Sequence, residues 1–172
     1  QQYQSDASDK NAGVDINVTL TPWQGFTLAY VAGLDYLQDD NHNFTPASSF
    51  TEQNTGVLDN ARGIYSRMKG TTINLSSNLR ATYNHVFADV HDVTLGANYD
   101  YYLYNYDAVG ITGYGVGNVD APSAINNSLH GMRQPSVRNP RDKNAQMGIG
   151  VVAGYTYNSV YDAYFTYKAD AS

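Results

Sequence analysis

The feature that most constrains this chain is a period of two that keeps returning, separated by connections whose lengths alternate just as regularly. From Gly13 onward, Val14, Ile16, Val18 and Leu20 share one phase, while Asp15, Asn17 and Thr19 take the other. Such a period puts successive side chains on opposite faces of an extended strand. Pro22-Trp23-Gln24-Gly25 then supplies chain-reversing residues. The chain returns with Phe26, Leu28, Tyr30, Ala32, Leu34 and Tyr36 on one face.

The same design recurs twice. Ile73, Leu75, Leu79, Ala81 and Tyr83 oppose Thr72, Asn74, Ser76, Asn78, Arg80, Thr82 and Asn84. A short polar break at Ala88-Asp89-Val90-His91 leads to Val93, Leu95, Ala97, Tyr99, Tyr101 and Leu103, facing Thr94, Gly96, Asn98, Asp100, Tyr102 and Tyr104. These two strands are expected to be unusually long. The last hairpin sets Met147, Ile149, Val151, Ala153, Tyr155 and Tyr157 against Gly148, Gly150, Val152, Gly154 and Thr156. It turns at Asn158-Ser159-Val160 and returns through Tyr161, Ala163, Phe165, Tyr167 and Ala169. Residues 1–12, 38–70 and 110–145 lack the alternation and are expected to be irregular or loop-like. The expectation is six strands in three antiparallel hairpins, joined by connections that run short, long, short, long, short.

Composition agrees with an all-β chain. Tyr occurs 16 times against 5 Phe and 1 Trp, Gly 15 times, and charged residues make up only 15%. Tyr, Thr, Val and Phe favour strands, and Asn, Asp and Gly favour turns. A net charge of −6 argues against nucleic acid as a partner, because phosphate binding needs a basic face. With no cysteine, disulfides and thiolate metal sites are excluded. Gln1-Gln2-Tyr3-Gln4 shows no charged-then-apolar leader, so an exported protein would be represented here by a mature or excised piece.

Three properties point to a transmembrane β-barrel in the bacterial outer membrane. No run approaches the roughly 20 apolar residues of a membrane helix, but barrels cross with alternating strands. The polar face is Asn, Thr, Ser, Gly and Tyr rather than charge, which suits a hydrated lumen. The two-sided loop lengths match short periplasmic turns and long extracellular loops, the latter being 38–70 and 110–145. Trp23, Phe26, Phe87, Tyr157 and Tyr161 gather by the short turns, where a ring with a wet polar tip suits the membrane interface. Bacterial barrels start at about eight strands, so six imply an incomplete barrel, with residues 1–172 as part of one barrel domain.

Two stretches carry a family resemblance. Val86-Phe87-Ala88-Asp89-Val90-His91-Asp92-Val93-Thr94-Leu95-Gly96-Ala97-Asn98-Tyr99 is similar to the middle barrel hairpins of SusC/RagA-type TonB-dependent transporters. Gly150 to Tyr157, followed by Tyr161 to Ser172, resembles that family's strand pair ending in Arg-x-Asp-Gly-Ser. Lys168 stands here in place of the Arg and Ala171 in place of the Gly. The resemblance implies a segment of an importer of a glycan or oligopeptide in the outer membrane of a Bacteroidetes-like bacterium. It implies a SusD-like surface lipoprotein as partner, outer-membrane lipid and lipopolysaccharide as surroundings, and energy relayed by TonB through a part of the protein outside these residues. The family's plug domain and TonB box have no counterpart in this sequence.

Asn98, Asp100, Tyr102, Tyr104 and Tyr106, with Asn105, form a strand end whose rings and amides would suit a glycan in the lumen or at the extracellular rim. The plainer reading is that these tyrosines stiffen a strand. Asp35, Asp39, Asp40, Asn41 and His42 crowd oxygen ligands as a Ca²⁺ loop does, yet lack the central Gly and terminal Glu of an EF-hand. His42, His85, His91 and His130 show no zinc-ligand spacing. Gly113, Gly115 and Gly117 copy part of a nucleotide fingerprint without its helix, and read as a flexible loop. Arg133, Arg138, Arg141 and Lys143 cluster where they could meet lipopolysaccharide phosphates, or simply solvent. No catalytic grouping, metal site or cofactor site is expected. Two other functions fit the residues: a soluble all-β carbohydrate-binding module, and an adhesin-type surface barrel that does not transport.

Overall fold

The computed structural model describes residues 3–54, 56, 62–118, 120 and 133–172. Six long strands carry the fold: β1 (Gln4–Leu20), β2 (Phe26–Thr45), β3 (Ile64–Phe87), β4 (His91–Tyr114), β6 (Arg141–Tyr157) and β7 (Tyr161–Ala171). A three-residue strand, β5 (Ser136–Arg138), pairs with β4, and a single helical turn, α1 (Phe50–Gln53), follows β2. Sheet order is β1-β2-β3-β4-β6-β7, each long strand beside its sequence neighbour. The up-and-down antiparallel expectation therefore holds. Among the described residues no helix is long and apolar enough to cross a membrane.

Strands of 24 residues for β3 and β4 match the expected length. The strand ends do not match everywhere. Residues 4–12 were expected to be irregular, but they continue β1. Polar ties hold them: the Tyr3 and Ser5 hydroxyls both donate to Asn43 Oδ1, at 2.9 and 2.7 Å. Likewise β2 runs on to Thr45, and β3 begins at Ile64, well inside the expected loop. Arg67 Nε donates to Asp40 Oδ1 at 2.8 Å there. Side-chain bonds between neighbouring strands leave no period of two in hydropathy, so the sequence pattern stops before the strands do.

The chain forms two compact units. One comprises Gln1–Asn11, Leu37–Thr72 and Tyr106–Asp142; the other comprises Ala12–Tyr36, Ile73–Asn105 and Lys143–Ser172. The first holds the long connections and all four buried hydrophobic residues among those described: Phe44, Tyr65, Ala108 and Val116. Its α1 turn is capped by Ser49, whose hydroxyl accepts the Glu52 N–H at 3.2 Å. The glycine stretch there is held in place. Gly115 and Gly117 adopt φ of +70° and +65°, and their N–H groups donate to Gly63 and Arg62 carbonyls. The Ala47 N–H donates to the Gly117 carbonyl at 2.8 Å. The expected flexible loop is thus a docked turn, because glycine reaches the left-handed backbone these bonds need.

The second unit contains the three short turns. Turns 88–90 and 158–160 are closed by the Val90 N–H on Phe87 O and the Val160 N–H on Tyr157 O, at 3.3 and 3.0 Å. In β6–β7 the register is Tyr157↔Tyr161, Tyr155↔Ala163, Ala153↔Phe165 and Val151↔Tyr167. Between β4 and β6 it is marked by close approaches: Thr94 at Gly154, Gly96 at Val152, Asn98 at Gly150. As one number rises by two the other falls by two, as antiparallel pairing requires.

Candidate functional site

Alternation sorts the second unit into two faces, and along the middle of β4 and β6 exposure ranks them the opposite way from a water-soluble sheet. Apolar Leu95, Ala97 and Tyr99 are exposed, while Thr94, Gly96, Asn98 and Asp100 between them are half-buried. In β6 Ile149 and Val151 are exposed and Gly148 and Gly150 are buried. Val14 is 62% exposed and Ile149 54%; Ile73 is half-buried. No hydrophobic residue described in this unit is buried. A soluble antiparallel sheet buries its apolar face and wets its polar one.

The polar face is tied together. Asp100 accepts bonds from the Asn78 side-chain amide and from Asn98 Nδ2, the latter at 2.7 Å. Tyr102 Oη reaches Asn74 Oδ1 at 3.5 Å, and Asp15 and Ser76 close on Gly33. Beside this network lies an open depression of about 700 Å³, lined by Ser76, Asn78, Asp100, Tyr102, Lys168 and Asp170, among others. Lys168 Nζ is 3.1 Å from Asp170 Oδ1. Amides, hydroxyls, carboxylates and an ammonium together present the donors and acceptors that a peptide backbone or a sugar offers in return.

Of the five residues singled out from sequence, Asp100 and Tyr102 line this depression, and Asn98 orients Asp100. Tyr104 is half-buried in the same unit and does not line it. Tyr106 is half-buried in the other unit. Sequence reasoning missed Ser76 and Asn78 on the adjacent β3, and Lys168 and Asp170 two strands away on β7, although all four occupy the same polar phase.

The acidic cluster near residue 40 does not assemble. It lies on β2 rather than on a loop, so its members alternate between faces. Asp35 lies beside Gly13 and Asp39 beside Gly70, Asp40 pairs with Arg67, and His42 Nε2 stands 2.9 Å from Asp120 Oδ1. Among the described residues no group of three or more His, Asp or Glu could hold a metal. The basic cluster also disperses. Arg133 pairs with Glu52 and lies over the Tyr114 ring, while Arg141 pairs with Asp107. His130 and Pro122 lie outside the described residues.

No family model matches the chain, and no curated protein matches it. Solved structures do. The RagAB peptide transporter contains a chain that superimposes with a TM-score of 0.78 at 16% identity, over 98% of this chain. The RagAB peptide importer in its open-open and closed-closed states gives TM-scores of 0.76 and 0.74 at 18% identity, again over 98%. The chain spans 18% of the length of each of those chains. Its up-and-down sheet is the fold of that stretch of a peptide transporter.

Proposed function

We propose that this chain is a stretch of barrel wall in a TonB-dependent outer-membrane importer of SusC/RagA type, which takes up oligopeptides or glycans. The observation that carries the reading is the reversed exposure along β4 and β6, with Leu95, Tyr99, Ile149 and Val151 exposed and bonded Asn98 and Asp100 half-buried on the opposite face. Lipid is the solvent for which that arrangement is stable, since alternating strands present one apolar band outward and a polar interior. Likeness to the peptide transporter's fold supports the same reading.

In this reading the short turns are periplasmic and the ends of β2 and β4 at Thr45 and Tyr114 lead to the outward side. A SusD-like surface lipoprotein covers the outward side, lipopolysaccharide surrounds it, and TonB acts through another part of the protein. Peptide is favoured over glycan because the depression combines amides with both charge signs, as a zwitterionic peptide demands.

The test uses the whole polypeptide. It should fractionate with outer membranes, and a deletion strain should lose TonB-dependent uptake of labelled oligopeptides. A whole polypeptide that runs as a monodisperse soluble protein without detergent would overturn the reading in favour of a soluble binding module. Membrane fractionation with unchanged uptake of both peptides and glycans would favour a non-transporting surface barrel.

A further inference from the structure

The apolar face of the second unit is not uniform. Register and equal spacing from the turns place its side chains in cross-strand rows. Nearest the turns stand Phe87, His91, Tyr157 and Tyr161, then His85, Val93, Tyr155 and Ala163. Below them come Phe26, Tyr83, Leu95, Ala153 and Phe165. Ala81 and Ala97, six residues from Phe87 and His91 respectively, fall in the next row. Where the alanines sit, the face sinks into an open groove of about 460 Å³, walled by Phe26, Tyr83, Leu95 and Phe165.

The groove ends toward polar-tipped rings. His91 Nδ1 lies 2.6 Å from Tyr155 Oη, and the His91 ring stands 5.2 Å from that of Tyr157. His85 packs edge-on to Phe87 at 4.3 Å. Neighbouring carboxylates point elsewhere: Asp92 and Asp162 belong to the polar phase, and Asp162 accepts from the Thr156 hydroxyl at 2.7 Å. Asp89 sits in the turn itself and is exposed. The groove's lining ends at the row of Leu95, Ala153 and Phe165, and the next row toward the turns, about 7 Å on, holds Tyr155, bonded to His91.

We infer that this groove is a phospholipid site, with one acyl chain over Ala81 and Ala97 and the phosphate headgroup at His91 and Tyr155. The inference rests on the membrane reading above and names the lipid that the wall holds. A phospholipid carries the same gradient from hydrocarbon to hydrogen-bonding groups along its own length. One bond joins His91 Nδ1 to Tyr155 Oη, and whichever atom donates it, a proton is left on Nε2 or on the hydroxyl for a phosphate oxygen.

The whole polypeptide, stripped of lipid in detergent, is offered palmitoyl-oleoyl phosphatidylethanolamine vesicles, and retained lipid is counted by native mass spectrometry. Filling the groove with Ala97→Phe, or more gently with Ala81→Ile, should lower retention by about tenfold. His91→Ala should weaken the phospholipid but leave binding of hexadecane, a chain with no headgroup, unchanged. Partitioning into vesicles with retention unchanged in both alanine variants overturns the site and leaves the membrane reading standing. Displacement by millimolar inorganic phosphate also overturns it, in favour of a free-phosphate site. Failure of the wild-type protein to partition overturns both.

Discussion

Arg133 closes on Glu52 across 81 residues of chain, with Nη1 2.8 Å from Oε2 of a carboxylate that is only 1% exposed. The same oxygen accepts the Gly63 N–H at 2.9 Å, and the guanidinium lies 4.2 Å from the Tyr114 ring centre. Glu52 therefore joins α1, the start of β3 and the segment before β5 within the first unit.

That arrangement makes the two partners unequal under mutation. Arg133→Ala strands a buried carboxylate, which costs about 3 kcal/mol for a pair of this kind. Glu52→Gln keeps an acceptor for Gly63 and leaves an arginine that can reach water, so it should cost roughly 1 kcal/mol. Hydrogen exchange at residues 46–54 and 62–64 in the whole polypeptide reads the difference. Equal protection loss in the two variants would count against the pair as the anchor.

Acid should loosen a different tie. The Arg67 guanidinium, through its hydrogen bonds first and its charge second, holds the Asp40 carboxyl below its ordinary value of 3.8. A folded-state value lower than the unfolded one adds stability that is full above the unfolded value, about 3.9. That stability is lost as pH falls through the depressed folded value. The β2–β3 contact should thus be constant through neutral pH and open only under strong acid. Asp40→Asn should remove the acid step at amides near Asp40 and Arg67 while leaving other regions unchanged. Exchange measured from pH 6 down to 2 checks this.

The two tight turns carry built-in backbone strain. Ala88 and Asp89 have φ of +50° and +54°, and Asn158 and Ser159 have +51° and +56°. Asn and Asp tolerate this region, but Ala88 pays for its Cβ with roughly 1–2 kcal/mol. Ala88→Gly should return about 1 kcal/mol, less the entropy glycine gains in the unfolded chain. Ala88→Val should be the most harmful change at the turn. Urea midpoints of the whole polypeptide refolded into vesicles would order the three.

How much of this was legible in the residues depends on what held each element. Wherever apolar and polar side chains alternate, as in Val93–Leu103 or Met147–Tyr157, phase alone placed the strand and its faces. Residues 4–12 and 38–45 were unreadable because polar bonds such as Ser5 to Asn43 and Arg67 to Asp40 hold them. Of the candidate site, Asp100 and Tyr102 stood out on one strand. Asn78, Lys168 and Asp170 reach it from other strands, and only the register across the sheet brings them there. The acidic residues 35–42 were read as part of a loop, but on β2 residues adjacent in sequence point in opposite directions.

Asn98 and Gly150 offer a test of whether the polar face is a specified network or a loose lining. A methyl group on Gly150 would collide with Asn98 Oδ1, so Gly150→Ala must displace the amide that donates to Asp100 at 2.7 Å. The single change should cost about 1–2 kcal/mol, from the lost bond and the half-buried carboxylate it leaves less satisfied. In an Asn98→Ala background the methyl meets no amide, and the same substitution should cost only a few tenths of a kcal/mol. The coupling should therefore be about 1 kcal/mol in a double-mutant cycle on vesicle-folded protein. Additive effects would mean that the Asn98 side chain already moves freely out of the way.

Solvent itself is the last variable to test, and Leu95 and Thr94 separate the alternatives because they are neighbours on opposite faces. Leu95 is 47% exposed and Thr94 is half-buried. If water surrounded both faces, Leu95→Lys would be nearly neutral, since an exposed lysine keeps its hydration, and Thr94→Lys would be the costlier change. In lipid the order inverts: a lysine near mid-bilayer on the outward face costs about 2–4 kcal/mol, while one facing a hydrated lumen costs little. The expected result is a large drop in urea midpoint for Leu95→Lys and a small one for Thr94→Lys, in vesicles of phosphatidylethanolamine and phosphatidylglycerol. The opposite order would place water, not hydrocarbon, against Leu95.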